Sequence, residues 1–300
     1  MLKIEKDDKI YPFSKGILAR SLLPTGLSID SIYNIVGDVQ QEYKFEEEPV
    51  SSAVIQNKVA RLLVDKEMVK EKNRYLVSRK FAQIKEPMVI LIGGVAGVGK
   101  STVAAELADR LGIQRVIDTD EVREIMRYTL PEDLLPELHK SSFDAGEVVA
   151  GPDIKKNVLV GFSRQARMVN RGVRAYIERV AKEGIKTIFN GVHLVPGLME
   201  IEQNNKPAEH FTYLLTLKDE QNHIRRFHSR AEHSYRKANR YTEKMKNIGI
   251  IQEYAIERAE ESGTTMIENT SLDTTVTQIV DDLIDNLQDK YFHYEKDTTL

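Results

Sequence analysis

The stretch VILIGGVAGVGKSTVAAEL, residues 89–107, constrains the fold of this chain more than any other part of it. A short apolar run fits a buried strand, the glycines after it fit a tight backbone curl, and Val103, Leu107 and Leu111 recur at helical spacing. Gly94 to Ser101 meets the pattern G-x-x-x-x-G-K-[ST] between that strand and that helix. The pattern binds phosphate for a physical reason: glycines let successive N–H groups converge on phosphate oxygens, and the helix that follows presents its positive end. Gly94, Val95, Ala96, Gly97, Val98 and Gly99 are therefore expected to cradle the phosphates of a nucleotide. Lys100 would neutralise the β and γ phosphates, Ser101 would place its hydroxyl on Mg²⁺ or a similar divalent cation, and Thr102 would support the start of the helix.

Around this loop the sequence alternates strand and helix. Strand candidates fall at Met88 to Ile92, Arg115 to Asp118, Thr187 to Val192, Phe211 to Leu217 and Thr265 to Glu268, separated by long helical patterns. This alternation predicts an α/β fold, a parallel sheet covered by helices on both faces. Before Pro87 the pattern differs. LKIE and KIYPF flank Asp7-Asp8 as a short hairpin, and helical spacing follows in Ile17, Leu18 and Leu22, in Ile32, Ile35, Val36 and Val39, and from Ser51-Ser52 through Leu63. The expected organisation is a small, mostly helical domain over residues 1–85, an α/β domain over 86–294, and a disordered tail over 295–300.

Composition removes several alternatives. The chain has no cysteine, which excludes a disulfide framework, a cysteine-ligated zinc, an iron–sulfur cluster and a thiol nucleophile. MLKIEKDDKI lacks the apolar core of a signal peptide, and no apolar run approaches the roughly 20 residues that span a bilayer. A soluble, cytoplasmic protein with no membrane partner is expected. With a formal charge of −3 there is no global attraction to nucleic acid, so an anionic ligand must be held by local groups.

Local candidates are present. In VIDTDEVR, Asp118 and Asp120 would point the same way on an extended segment, one serving the metal and the other accepting a hydroxyl proton; alternatively Asp120 caps the helix EVREIMR. Arg123 lies on that helix. The strand TIFNGVHLVPG offers Asn190 where such folds often carry an acidic residue, and His193 is either a substrate contact or a structural histidine. Arg164, Arg167, Arg171 and Arg174 share one helical stripe, which either clamps a phosphorylated substrate or is a solvated face. The segment KDEQNHIRRFHSRAEHSYRK is dense in arginine, with Arg225, Arg226, Arg230 and Arg236, and reads as a flap in which one or two of them, Arg225 and Arg230 first, would stabilise charge during transfer.

From residue 88 onward the chain resembles the small-molecule P-loop kinases, through GGVAGVGKST and the DTD after the second strand, as in the shikimate kinase group. IGGVAGVGKST, the arginine-bearing helix, GVHLVPG and RFHSRA together resemble the archaeal 2-phosphoglycerate kinases over nearly the whole chain. The first 80 or so residues resemble an ATP-cone domain, through KIYPFSKGILARSL and VSSAVIQNKVARLL. The resemblance implies transfer of the γ-phosphoryl of ATP to 2-phosphoglycerate, giving 2,3-bisphosphoglycerate on the route to the cyclic thermoprotectant of methanogens. For such a reaction the residues expected to act are Lys100, Asp120, Arg225 and Arg230 in catalysis, Ser101 and Asp118 at the metal, and Asp120, Arg123, Arg164, Arg167 and His193 at the substrate. Asn190 departs from the acidic residue usual at its position. Asp8 departs from the glycine usual in the cone's first turn, which leaves nucleotide binding there open. A kinase of another small hydroxyl compound and an ATP-sensing regulator are the competing readings, and a homo-oligomer is left open.

Overall fold

The structure is a computed structural model that describes residues 2–199, 208–232 and 243–291, with the backbone alone at Val77, at 230–232 and at 288–291. Contacts divide the described residues into two units: Met1–Ile84 with Asp109–Gly112 and Thr277–Leu300, and Lys85–Ala108 with Ile113–Val276.

The first unit opens with strands β1 (Lys3–Lys6) and β2 (Lys9–Pro12), which pair antiparallel. Asp7 and Asp8 turn between them at φ 51° and 58°. Two successive left-handed residues match the right-handed twist of the flanking strands, and aspartate is among the few non-glycine residues that tolerate them. Ser14, Ser28 and Ser51 then cap helices α1 (Lys15–Leu22), α2 (Ile29–Glu42) and α3 (Ser52–Asp65), each side-chain oxygen accepting from a first-turn N–H. Val50–Ser51 forms β3, parallel to β1, and α4 covers Val69–Gln83. Leu22, Ile32, Ile35, Val36, Val39, Val59, Leu63 and Tyr75 make a continuous core.

The second unit is built on β4 (Met88–Gly93), β5 (Arg115–Asp118), β6 (Thr187–Gly191), β7 (Glu209–Thr216) and β8 (Thr265–Glu268), in the order β5-β6-β4-β7-β8 with every pair parallel. Helices α5 (Lys100–Leu111), α6 (Thr119–Thr129), α7 (Ile154–Lys182), α8 (Glu220–Glu232), α9 (Met245–Ser262) and α10 (Leu272–Tyr291) connect or follow the strands. On one face Val89, Leu91, Ile117 and Phe189 of the sheet meet Val169, Val173, Ile177 and Val180 of α7. β4 and β6 are buried at every position, the pattern of a parallel sheet covered on both sides. Chain order reverses beside β4, so the C-terminal ends of β4, β5 and β6 open onto the crevice where such sheets bind ligands.

Residues of α10 from Thr277 fall in the first unit, whereas the sequence reading carried the second domain to residue 294. The cause is a pairing 207 residues apart in sequence. Arg74 donates from Nε and Nη2 to both carboxylate oxygens of Asp281 at 2.6 Å, and from Nη1 to the Thr25 carbonyl at 3.0 Å. The expected tail at 295–300 lies outside the described residues.

Candidate active site

The loop after β4 curls through left-handed backbone at Gly94, Gly97 and Gly99. Gly97 is required twice over. Its φ is 84°, and a Cβ there would come within 2.6 Å of Phe227 Cζ and 2.7 Å of His223 Nε2. Those side chains belong to α8, which holds the loop from behind. His223 Nε2 donates to the Ala96 carbonyl at 2.6 Å, Arg226 Nη1 to the Val98 carbonyl at 3.1 Å, and Asn269 Nδ2 to that same carbonyl at 2.6 Å. Arg226 Nη2 in turn grips the Asn269 carbonyl at 2.6 Å, and the Thr275 hydroxyl donates to Asn269 Oδ1 at 2.9 Å. A loop whose carbonyls are held on one side presents its N–H groups on the other, which is the arrangement an anion needs. Burial beside Arg226 and Lys100 pushes the His223 pKa below its ordinary value, despite its bond to Ala96, so the ring is a neutral donor.

Lys100 Nζ donates to the Val95 carbonyl at 2.8 Å, which folds the ammonium back over the loop. Ser101 Oγ lies 3.3 Å from Asp118 Oδ2 and 3.1 Å from Asn190 Oδ1. A hydroxyl has one proton, so it satisfies only one of these acceptors at a time. Register places the two acceptors side by side, Asp118 opposite Asn190 across β5 and β6. Three hard oxygens with a single proton among them suit a divalent cation that takes its other ligands from phosphate and water. Ser101, Asp118 and Asn190 therefore fit Mg²⁺. Among the described residues no cluster of three histidine or acidic side chains forms a separate metal site.

Beyond this geometry, relatives fix the family. The AAA domain model matches residues 90–246. The 2-phosphoglycerate kinase of Pyrococcus furiosus is 39% identical over 94% of this chain and 93% of its own length. This chain belongs to the 2-phosphoglycerate kinase family. The 2-phosphoglycerate kinase of Thermococcus kodakarensis is 37% identical over 93% of this chain and 94% of its own, and that of Methanocaldococcus jannaschii 37% over 92% and 89%.

In this member of the family the sequence-predicted residues divide into two groups. Gly94 to Thr102, Asp118 and Asn190 meet at the strand ends, and Asp120 joins them by a different route from the one expected. The extended segment ends at Asp118, and α6 begins at Thr119. Asp118 is the helix cap, its Oδ1 accepting from the Asp120 N–H at 2.8 Å while Oδ2 faces Ser101. Asp120 thus sits in the first helical turn, where its carboxylate is spared the capping role. Partial burial alone would raise its pKa, but His193, Arg123 and Lys100 outweigh that and hold it below the ordinary carboxylate range. His193 is uncharged at neutral pH, so Arg123 and Lys100 carry that effect there.

The second group is committed elsewhere. His193 is fully buried, with Nδ1 2.8 Å from Thr119 Oγ1 and Nε2 3.2 Å from Gln165 Oε1, so the expected substrate contact is replaced by an internal one. Arg123 donates from Nη1 to the carbonyls of Leu138 and Lys140 at 3.0 and 2.8 Å and from Nη2 to Glu124; it braces a segment instead of reaching outward. Arg164 pairs with Glu137 at 3.3 Å and, with Arg167, Lys155, Lys156 and Ser163, lines an open groove of about 450 Å³ on the solvent side of α7. Arg225 is exposed, with Asp219 4.0 Å away, and the side chain of Arg230 lies outside the described residues. Arg226, not Arg225, meets the loop. The signal was spacing: His223, Arg226 and Phe227 stand at i, i+3 and i+4 on one helix face, and Arg225 falls off it.

Proposed function

We propose that this protein transfers the γ-phosphoryl of ATP to the free hydroxyl of 2-phosphoglycerate, giving 2,3-bisphosphoglycerate and ADP. The observation that carries the proposal is 39% identity to a 2-phosphoglycerate kinase across 94% of the chain. The phosphate loop and the Ser101, Asp118 and Asn190 oxygens supply the chemistry the name requires. A divalent cation bound there neutralises charge that builds on the β and γ oxygens.

The chain's own groups do the rest. The N–H groups of Gly94 to Gly99 hold the phosphates, and Lys100 adds a full positive charge at the transferring group. Asp118 or Asn190 accepts the proton of the Ser101 hydroxyl, which would leave its oxygen lone pairs free for a cation. Asp120, ionised and uncapped, accepts the proton of the attacking hydroxyl as its oxygen bonds to the γ phosphorus and the bond to the β-phosphate oxygen breaks toward ADP. Positioning of the two polyanions supplies much of the rate in a loose transition state. We read the N-terminal unit as an ATP-cone-like module, and nucleotide stoichiometry tests it: two per chain if it binds, one if the loop alone does. Among the described residues no helix is long and apolar enough to cross a membrane, in keeping with a cytoplasmic site for this reaction.

The deciding assay incubates the protein with Mg-ATP and a panel of phosphorylated and unphosphorylated three-carbon acids and follows ADP. Turnover should depend on 2-phosphoglycerate; equal ADP release with and without every acceptor refutes the assignment.

A further inference from the structure

A hydrogen-bonded chain that the proposed chemistry does not use runs from the segment Pro136–Lys140 to the carboxylate turn. The Gln165 amide nitrogen donates to the carbonyls of Glu137 and Lys140, at 2.5 and 2.9 Å. Two carbonyl partners fix which end of the amide is nitrogen, so Oε1 must face His193. An oxygen 3.2 Å from Nε2 then requires the proton there, which leaves Nδ1 as the acceptor for the Thr119 hydroxyl at 2.8 Å. Every hydrogen in the chain has one direction. Burial depresses the His193 pKa to about 4, with Arg123 and Lys100 adding to the effect and Asp120 opposing it, so the neutral tautomer persists across the working range.

Thr119 stands between Asp118 and Asp120 and is fully buried. Its side chain presses on Gly191, where a Cβ would lie 1.7 Å from Thr119 Oγ1, so the strand beside it has no room for a larger residue. Asn170 Nδ2 meanwhile donates to the His193 carbonyl at 3.0 Å and fixes the ring's backbone. Arg123 makes a second connection from the same segment, with Nη1 on the Leu138 and Lys140 carbonyls and Nε 3.4 Å from Asp120 Oδ1. Apolar side chains could fill this space equally well. A directed polar chain does something they cannot, which is to orient one hydroxyl at the turn.

We propose that Gln165, His193 and Thr119 are positioning residues that set the Asp118–Asp120 turn, and through it the grip of Ser101, Asp118 and Asn190 on the metal of the bound nucleotide. This rests on the metal reading given above, and not on the identity of the acceptor. Residues that support metal ligands without touching the ion change affinity by about 10–100-fold when removed. Acting through one turn of backbone, this chain belongs at the lower end.

The test is the Mg²⁺ concentration that half-saturates binding of a fluorescent ATP analogue, read beside the melting temperature. Thr119→Val keeps the shape and deletes the hydroxyl, and should raise that concentration about 10-fold while metal-free nucleotide binding stays as it was. Thr119→Ser keeps the hydroxyl and should restore the wild-type requirement. His193→Gln places a donor toward Gln165 but no acceptor toward Thr119, and should behave as Thr119→Val; it keeps the test decisive if the valine variant fails to fold. A wild-type metal requirement in Thr119→Val or His193→Gln, with only the melting temperature lowered, overturns the proposal. Because the assay needs no acceptor, failure of 2-phosphoglycerate as a substrate leaves its outcome unchanged and is told apart from it.

Discussion

Replacing Asn190 with aspartate tests the metal geometry directly. Asn190 is 2% exposed, and its Oδ1 and Asp118 Oδ2 both lie against the Ser101 hydroxyl, at 3.1 and 3.3 Å. In Asn190→Asp two carboxylates face each other across one hydroxyl, and at about 5 Å with an effective dielectric near 20 they repel by about 3 kcal/mol. The substitution also turns the donor that reaches the Ile117 carbonyl at 3.4 Å into an acceptor, at a cost of about 1 kcal/mol or more. The new acid can escape by holding its proton, which from an ordinary pKa near 3.9 costs about 4 kcal/mol at pH 7. Either route gives about 4 kcal/mol. At about 2–4 °C per kcal/mol for a protein of this size, the metal-free variant should melt about 8–16 °C below the wild type. A divalent cation reverses the sign, because repulsion between the carboxylates becomes attraction of both to one ion. Melting curves in EDTA and in saturating Mg-ATP should therefore diverge in EDTA and converge with metal. Equal melting in EDTA, or a deficit of the same size in both conditions, would show that Asn190 does not face Asp118 across a cation site.

Three further outcomes are expected. Lys100→Ala should lower kcat by about 10²–10³ or more with far-UV circular dichroism unchanged, since the ammonium is asked to act mainly on charge that develops in transfer; turnover near wild type contradicts its role. Gly97→Ala forces left-handed backbone on an L-residue, about 1–2 kcal/mol, and a Cβ 2.6 Å from Phe227 Cζ adds about 1–3 kcal/mol; an unchanged denaturation midpoint would mean that α8 does not back the loop. His193 gives a pH signature. Its folded pKa of about 4 lies below the ordinary 6.5, so the unfolded chain takes up the proton first as pH falls. Its contribution is complete above about pH 6.5 and is lost progressively down to about pH 4, roughly 3 kcal/mol in all. Denaturant unfolding of His193→Gln should show a shallower acid slope by that amount, and an identical slope would place the titration elsewhere.

What was legible in the sequence was local. The phosphate loop announces itself because its glycines, lysine and serine lie close together in sequence, and the central strand because β4 is an uninterrupted apolar run. The helix start after β5 was placed two residues late, and the correcting signal was present: Asp118 and Glu121 stand at the spacing of a capping box, which assigns the cap to Asp118 and releases Asp120. Arg226 could similarly have been preferred to Arg225 from its spacing to His223 and Phe227. His193 and Arg74 are different in kind. Nothing near His193 in sequence tells that Gln165, 28 residues away, and Thr119, 74 away, will occupy both ring nitrogens, and nothing near Arg74 points to Asp281. A buried polar group survives only when every one of its bonds is made, so its partners are set by the finished packing and not by neighbours in the chain. The same condition explains why such a group earns attention at a site. A histidine that only filled space would be more cheaply replaced by leucine. One held at both nitrogens, with its tautomer dictated through the Gln165 amide, transmits the position of residues 136–140 to the residue between two carboxylates, and that is work an apolar side chain has no means to do.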